Sequence, residues 1–287
     1  MKKIISILLV LVSLFCLSSC RAGDIEIGIY APYWAFWDYS SGSSFTYSAS
    51  EIKEIEIFWV DGRIEVIASD AEELAVVENS ESLTNDAKMH YLIKGDRLII
   101  HYSKALYKED IDESKKHIRV EIPEGIEIDI DSVTASINIG EMALGEINLT
   151  NISGNIELSN LACSKVNIEN VDGHITSGGI VADEFSAGSV SGTLDISNIS
   201  ANKIDVNTVS GKTVLGIAKK SNVEISGISG NVQLYIAEEI GATIEFSTVS
   251  GTFSSEKPHK TNKKTYTFGL GEAVIEVETV SGNLEIK

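Results

Sequence analysis

Apolar and polar residues alternate in short runs along most of the chain after residue 52. In one unit, Ile156 and Leu158 form one alternating run, and Val166 and Ile168 form the next. Alternation with a period of two, rich in β-branched residues, predicts strands with one buried face. Between the runs lies a further apolar residue, Leu161 here, flanked by Asn, Ser and Ala. Since Asn and Ser suit turns, each unit is predicted to have two main strands and two corners.

A recurrent glycine, usually in a Val-Ser-Gly triplet, sets the length of the unit. Five of these glycines follow one another at intervals of nineteen residues, two more follow after longer intervals, and an earlier degenerate unit holds one more. The structural repeat glycines are Gly62, Gly154, Gly173, Gly192, Gly211, Gly230, Gly251 and Gly282. A period near twenty residues is typical of solenoids and arrays.

One such unit is too small to stabilise itself, so the units must stack and share backbone hydrogen bonds as parallel sheets. The predicted fold is all-β: a parallel single-chain β-solenoid, β-helix-like, with about 19 residues per coil. Parallel crossovers favour a right-handed winding. Near a corner the chain is expected to place Val209 towards the core, Ser210 towards solvent and Gly211 where a side chain would collide.

The spacing also divides the chain. The solenoid is expected over residues 52–287, with an irregular N-terminal β region at 68–125, regular coils at 126–254, an insertion at 255–274 and a last coil at 275–287. The insertion is expected to contain a hairpin-like element. The last unit stops midway through a coil, which would leave a strand edge open to pairing, and the insertion is expected to cover that edge.

The N-terminus reads as an export and anchoring signal. Lys2 and Lys3 precede an apolar run at residues 4–17 that is too short to span a membrane, which predicts a signal peptide over residues 1–19. The following Leu-Ser-Ser-Cys resembles the lipobox of bacterial lipoproteins, so Cys20 is the predicted lipidation site. The protein is then expected to be secreted and membrane-anchored, on the outer face of the cell membrane or at the outer membrane. Cys163 would be the only remaining thiol, which excludes an internal disulfide.

Residues 20–51 form the predicted lipidated, aromatic-rich N-terminal segment. Its candidate contacts are Tyr33, Trp34, Phe36, Trp37 and Tyr39. Close to an acylated cysteine, these rings could lie at the membrane interface, stack on sugars, or cover the open end of the solenoid.

The charge balance restricts the partners. The chain has 23 basic and 42 acidic residues, and removal of Lys2 and Lys3 leaves 21 against 42, a formal charge of -21. Nucleic acid is therefore not an expected partner. Glu127, Asp129 and Asp131 share one strand face, a pattern that calcium or plain solvation would explain. The run at residues 257–264 is basic, which indicates either a solvated loop or a contact with an anionic envelope polymer.

The sequence shows no arrangement of acidic residues and histidines typical of a catalytic site. Glu157, Asp195 and Asp205 are outward strand positions without a neighbouring Arg or His ladder, and the five histidines lack zinc spacing. No enzyme activity, no metal and no cofactor are therefore predicted.

A leading lipobox, a Trp-Val-Asp-Gly-Arg-Ile-Glu-Val start and later Thr-Val-Ser-Gly-Asn-Leu-Glu-Ile units together resemble the bacterial putative-adhesin family of envelope β-solenoids, over about residues 52–287. The resemblance implies a non-catalytic binding, adhesion or scaffold module with an envelope glycan or protein as partner. The alternatives are a regulatory or envelope-stress lipoprotein that binds a protein and, third, a polysaccharide-active enzyme.

Overall fold

The computed structural model describes residues 38–79, 83–104 and 116–287. The predicted signal peptide, Cys20, Tyr33, Trp34, Phe36 and Trp37 lie outside these ranges. The strands are, in chain order, β1 (Ser40–Ser41), β2 (Ser44–Ser48), β3 (Glu54–Trp59), β4 (Arg63–Ala68), β5 (Glu73–Asn79), β6 (His90–Lys94), β7 (Arg97–His101), β8 (His117–Ile122), β9 (Glu127–Ser132), β10 (Ser136–Ile139), β11 (Met142–Ala143), β12 (Glu146–Asn151), β13 (Ile156–Ala162), β14 (Lys165–Asn170), β15 (His174–Ser189), β16 (Thr193–Thr208), β17 (Lys212–Ile217), β18 (Asn222–Gly227), β19 (Asn231–Ile236), β20 (Ala242–Thr248), β21 (Phe253–Ser255), β22 (Lys260–Asn262), β23 (Thr265–Phe268), β24 (Ala273–Thr279) and β25 (Leu284–Ile286). A 3-10 turn at Ala49–Glu51 follows β2.

The strands form two parallel stacks. The first side runs through β7, β3, β9, β12, β14, the second halves of β15 and β16, then β18, β24 and β20. The second side runs through β8, β4, β10, β13, the first halves of β15 and β16, then β17, β19, β25 and β21. Each coil contributes one strand to each side, which confirms the predicted all-β parallel solenoid.

The register places like residues above one another. On the first side Ile128 pairs with Ile147, which pairs with Val166, which pairs with Phe185. All four side chains are buried, and so are the predicted apolar residue Leu161 and its counterparts in the next two coils, Ile180 and Ile199. Since every coil supplies the same inward columns, one continuous apolar core runs the length of the described stack.

The N-terminal end is more regular than the sequence indicates. The region predicted to be irregular supplies a complete parallel layer, because β7 pairs with β3 and β8 pairs with β4. This layer lies outside β3 and β4, although it follows them in sequence. Four antiparallel pairings then cover the end: β5 on β8, β6 on β7, β2 on β5 and β1 on β6.

At the C-terminal end the last strand in the sequence is not the outermost strand of the stack. Strand β25 lies between β19 and β21, and β24 lies between β18 and β20. The layer formed by β20 and β21 is therefore outermost, although it precedes β24 and β25 in sequence. Strands β22 and β23 form an antiparallel hairpin, and β23 covers the edge of β20. The hairpin provides partners for backbone groups that an uncovered edge would leave unpaired.

Within the described part of the chain, none of the helical segments has the length and hydropathy required to cross a bilayer.

Candidate functional site: a polar groove on the second side

The repeat glycines form a column in which backbone lies directly against backbone. An ideal Cβ on Gly154, Gly192 or Gly211 would lie 1.9–2.2 Å from the carbonyl oxygen of the same position in the preceding coil. Gly211 also has a φ of 119°, which L side chains rarely adopt. The column follows the stacking order, since Gly282 faces the carbonyl of Gly230, and Gly251 faces that of Gly282. These positions build the corner through direct backbone contact between coils.

The prediction that Val209 faces the core is wrong. Thr208 takes the inward position with 6% exposure, and Val209 is only partly exposed at the corner. The reason is the turn itself: a short polar side chain three residues before the glycine accepts a hydrogen bond from its N–H, as Ser189 does from Gly192 at 3.1 Å. Asn151 and Thr279 accept the equivalent bonds from Gly154 and Gly282.

The serine before each glycine is also used by the architecture. Ser210 Oγ donates to the carbonyl of Val190 in the preceding coil at 3.1 Å, and Ser191 Oγ donates to Val171 at 3.2 Å. These hydroxyls add a second coil-to-coil hydrogen bond at the corner. These serines before the repeat glycines are therefore poor candidates for a ligand surface.

Of the predicted aromatic contacts, Tyr39 is the one within the described residues. Its ring lies edge-on to His101 with centroids 5.2 Å apart, and its hydroxyl is 3.3 Å from His101 Nε2. Further along the same segment, Phe45 stacks on Tyr91 at 3.8 Å. These rings pack on the N-terminal layers, which favours the capping interpretation for residues 38–48.

The acidic strand face noted in the sequence lies on the first side. Asp129 is next to Glu56 in register, and Asp131 lies two residues further along the same strand. Burial first, and then the neighbouring carboxylates, raise the pKa of Asp129 to about 6. Arg97 forms ion pairs with Glu54 and Glu56 at 2.9 and 2.6 Å and supplies the local positive charge. Among the described residues no cluster of His, Cys, Asp and Glu has the arrangement of a metal site.

A groove of about 550 Å³ lies on the second side, among the described residues. It crosses the neighbouring strands β17, β19, β25 and β21, a distance of about 14 Å at the usual strand spacing. The outward positions of these strands form its floor. Its lining residues are Gly211, Lys212, Asn231, Val232, Gln233, Thr252, Ser254, Asn283 and Glu285.

Amide side chains in the groove are fixed by one another. Asn231 Oδ1 accepts hydrogen bonds from the backbone N–H and the Nδ2 of Asn283, at 3.2 and 3.1 Å. Asn283 Oδ1 in turn accepts from the N–H and Oγ1 of Thr252, at 2.9 and 2.8 Å. Gln233 Nε2 donates to Glu285 at 3.2 Å. These bonds leave Asn231 Nδ2 as a donor and Gln233 Oε1 as an acceptor in defined orientations.

A second depression, of about 420 Å³, begins two residues further along β19 and surrounds Tyr235. The ring of Tyr235 is 48% exposed, and its neighbours in the stack are Gly216 on one side and Lys287 on the other. Lys287 forms ion pairs with Glu285 at 2.7 Å and with Glu256, and these hydrogen bonds raise its pKa. An apolar ring thus lies beside fixed donors and acceptors.

The groove and the adjoining depression around Tyr235 together present the groups that recognise an uncharged, hydroxyl-rich molecule. Amides supply paired donors and acceptors, and an exposed ring supplies an apolar platform. The arrangement has no nucleophile activated by a neighbouring base among the described lining residues.

Sequence reasoning missed this groove for a specific reason. Asn231, Thr252 and Asn283 each follow a repeat glycine, which was a visible signal that they share a column. In the sequence, however, Thr252 comes between Asn231 and Asn283. In the stack Asn283 lies between Asn231 and Thr252. The inverted order of the last two layers brings the two amides together.

The fold and the groove define the chain as a parallel β-solenoid with an open polar surface site. Residues 52–287 match the model of the Toastrack DUF4097 family, and the chain belongs to that family. The resemblance to putative-adhesin solenoids found in the sequence is thereby confirmed.

Solved structures with the same fold share little sequence with this chain. A putative adhesin from Bacteroides fragilis NCTC 9343 is 14% identical, with a TM-score of 0.54 over 85% of this chain and 96% of that one. A putative lipid binding protein from Parabacteroides distasonis ATCC 8503 is 19% identical, with a TM-score of 0.51 and the same coverage of both chains. At these identities the likeness concerns the fold alone. No curated protein matches the chain significantly.

Proposed function

We propose that the protein is a lipid-anchored module of the cell envelope that binds a partner without catalysing a reaction, and that the polar groove is its binding surface. The observation that carries the proposal is the groove itself: amides in fixed orientations on adjacent strands, next to the exposed ring of Tyr235. This chemistry suits a segment of envelope glycan. The description of a related fold as a putative adhesin is consistent with such a role.

A protein partner is the second candidate, and a different surface favours it. The β-branched residues at the corner form a ridge of partly exposed apolar side chains on successive coils. Ile152 is 42% exposed and Val249 is 66% exposed. A regulatory or envelope-stress lipoprotein would use such a ridge to contact another protein.

The groove is tested by replacing Tyr235 with Ala in the full chain, held in nonionic detergent. We expect binding to an envelope-polysaccharide panel to weaken about five- to tenfold, because the ring supplies the stacking platform. Asn231→Ala should give a comparable loss. The matched control is Leu270→Ala, which removes another highly exposed apolar side chain outside the groove.

Two results would redirect this proposal. If wild-type protein binds no polysaccharide of the panel and instead retains one protein from intact envelopes, the ridge is the functional surface. Equal losses in Tyr235→Ala and Leu270→Ala would mean that general surface apolarity, and not the groove, governs binding.

The anchor is tested by Cys20→Ala in the producing cell. We expect the variant to lose palmitate label and to leave the membrane fraction, because acyl chains on this residue would supply the membrane affinity. Cys163→Ala is the control, since Cys163 is a partly buried thiol on the solenoid and should remain unlabelled. Retention of label on the Cys20→Ala protein would exclude this residue as the anchor.

A further inference from the structure

The hairpin of β22 and β23 has the opposite charge from the rest of the molecule. Residues 257–271 contain four lysines and no Asp or Glu, in a chain where acidic residues outnumber basic ones by 42 to 23. The hairpin lies at the outermost layer of the C-terminal end, on the edge of β20. A local patch of positive charge therefore lies at one end of the solenoid.

The hairpin is held rigidly. Strand β22 pairs with β23 from Lys260 to Asn262, and β23 pairs with β20 over its whole length. Beneath it, Tyr266 stacks on Phe253 with centroids 3.7 Å apart, and His259 lies 5.1 Å from Phe268. The backbone that carries the lysines is therefore held by strand pairing and ring packing, unlike the backbone of a solvated loop.

At the tip of the hairpin, Lys263 occupies a left-handed backbone conformation that Gly or Asn adopts more readily. Asn262 and Thr265 are paired, so the loop consists of Lys263 and Lys264. Lys263 has a φ of 54°, and it is the one residue other than glycine with a positive φ in the described chain. Gly or Asn normally occupies such a position. The strained backbone places an additional cation at the tip, which points to a role for the charge.

These lysines also lack acidic neighbours of the kind that Lys165 and Lys203 have. On the first side Lys165 lies between Glu146 and Glu184 in register, and Glu184 also lies beside Lys203. Lys260, Lys263 and Lys264 are exposed and form no ion pair with any described residue. Glu245 is the acid nearest in register, and its partner on the hairpin is Thr265.

We propose that the exposed face of this hairpin is an anion-binding surface for a phosphate- or carboxylate-bearing polymer of the envelope. Lysine acts as a point charge and does not fix the geometry of its partner as a guanidinium would. Three exposed lysines on a rigid hairpin therefore fit a polymer with repeated charges better than one compact ligand. This surface is separate from the polar groove, whose groups suit an uncharged ligand.

The test uses the full chain in nonionic detergent, with polyphosphate and polygalacturonate immobilised as separate probes. In Lys260→Gln/Lys263→Gln/Lys264→Gln we expect roughly tenfold or greater loss of affinity and a weaker dependence on salt. The control triple Lys165→Gln/Lys203→Gln/Lys220→Gln removes the same charge from other exposed positions and should bind almost as wild type. Binding to one probe only identifies phosphate or carboxylate as the recognised group.

Three outcomes would overturn the proposal. Equal losses in both triple variants would mean that only net charge matters. Loss of polyanion binding in Tyr235→Ala would place the polymer in the groove instead. Salt-sensitive self-association of wild type that the hairpin triple abolishes, without binding to either probe, would assign the lysines to the acidic surface of a second copy.

Discussion

Replacement of Lys116 by Met is expected to lower the free energy of unfolding by about 3–5 kcal/mol, because it leaves a buried carboxylate without its cation. The side chains of Lys116 and Glu78 are both inaccessible to solvent, and Lys116 Nζ lies 2.9 Å from Glu78 Oε1. The ammonium also donates to the carbonyls of Ala87, at 2.6 Å, and Tyr102. It lies 3.9 Å from the centroid of the Tyr102 ring, which adds a cation–π contact.

This ion pair connects the segments that close the N-terminal end. Glu78 lies on β5, Lys116 immediately precedes β8, and both Glu78 oxygens accept from the Met89 N–H at 3.1 Å. Burial lowers the pKa of Lys116 to about 8, partly opposed by the attraction of Glu78. Burial likewise raises the pKa of Glu78, and Lys116 opposes that shift. The opposing shifts show that each charge depends on the other for its retention.

The measurement is the urea midpoint, followed by tryptophan fluorescence from the adjacent Trp59. The double variant Glu78→Gln/Lys116→Met should recover most of the loss, since no unpaired charge remains buried. Lys53→Met is the control: its partner Asp96 lies at 3.0 Å, but the side chains are 80% and 59% exposed. That variant should cost at most about 1 kcal/mol. Equal midpoints for Lys53→Met and Lys116→Met would refute the assigned role of the pair.

The parallel solenoid was predictable because its signals are local and repeated. Period-two alternation identified strands such as β13 and β14, and the nineteen-residue glycine spacing predicted the register that brings Gly173 above Gly154. Each coil repeats the same turn residues, so a wrong strand assignment in one coil does not alter the assignment of the next. For such a fold, period is sufficient evidence of architecture.

The ends were less predictable because they depend on pairings between distant segments. Nothing in the spacing of Gly230, Gly251 and Gly282 indicates that the last one lies between the other two. The order of the last layers depends on which strands pair with β18 and β19, and these are β24 and β25. The local hydrophobic pattern does not distinguish them from other strands that could pair there. The pair of Lys116 and Glu78 was missed for the same reason, since each residue alone reads as an ordinary surface charge.

The candidate site was predictable only in part. The expected aromatic contact Tyr39 packs on the solenoid, and Tyr33, Trp34, Phe36, Trp37 and Cys20 lie outside the described residues. The groove depends on the inverted order of β21 and β25, so its amide contacts required the structure. The basic hairpin, by contrast, was visible as a charge run, and the structure added its rigid support and its position at the end of the stack.

Gly154→Ala is expected to cost about 3 kcal/mol of stability, although it adds a single methyl group. The new Cβ would lie 1.9 Å from the carbonyl oxygen of Ala135 and 2.6 Å from its carbon. Both colliding groups are backbone atoms of paired coils, so no side-chain rotation relieves the contact. The coils must separate at this corner, which weakens the neighbouring hydrogen bonds as well.

The control distinguishes collision from backbone conformation. Gly95 has a φ of 68°, but an added Cβ there meets no atom within 4 Å, so Gly95→Ala should cost only the left-handed penalty of about 1 kcal/mol. Gly154 has the collision without a left-handed φ, and Gly211 has both, with a Cβ 2.1 Å from the carbonyl of Gly192. The urea midpoint should therefore be highest for Gly95→Ala, lower for Gly154→Ala and lowest for Gly211→Ala. If Gly154→Ala unfolds at the wild-type midpoint, the coils are not in backbone contact at this corner, and the glycine repeat needs another explanation.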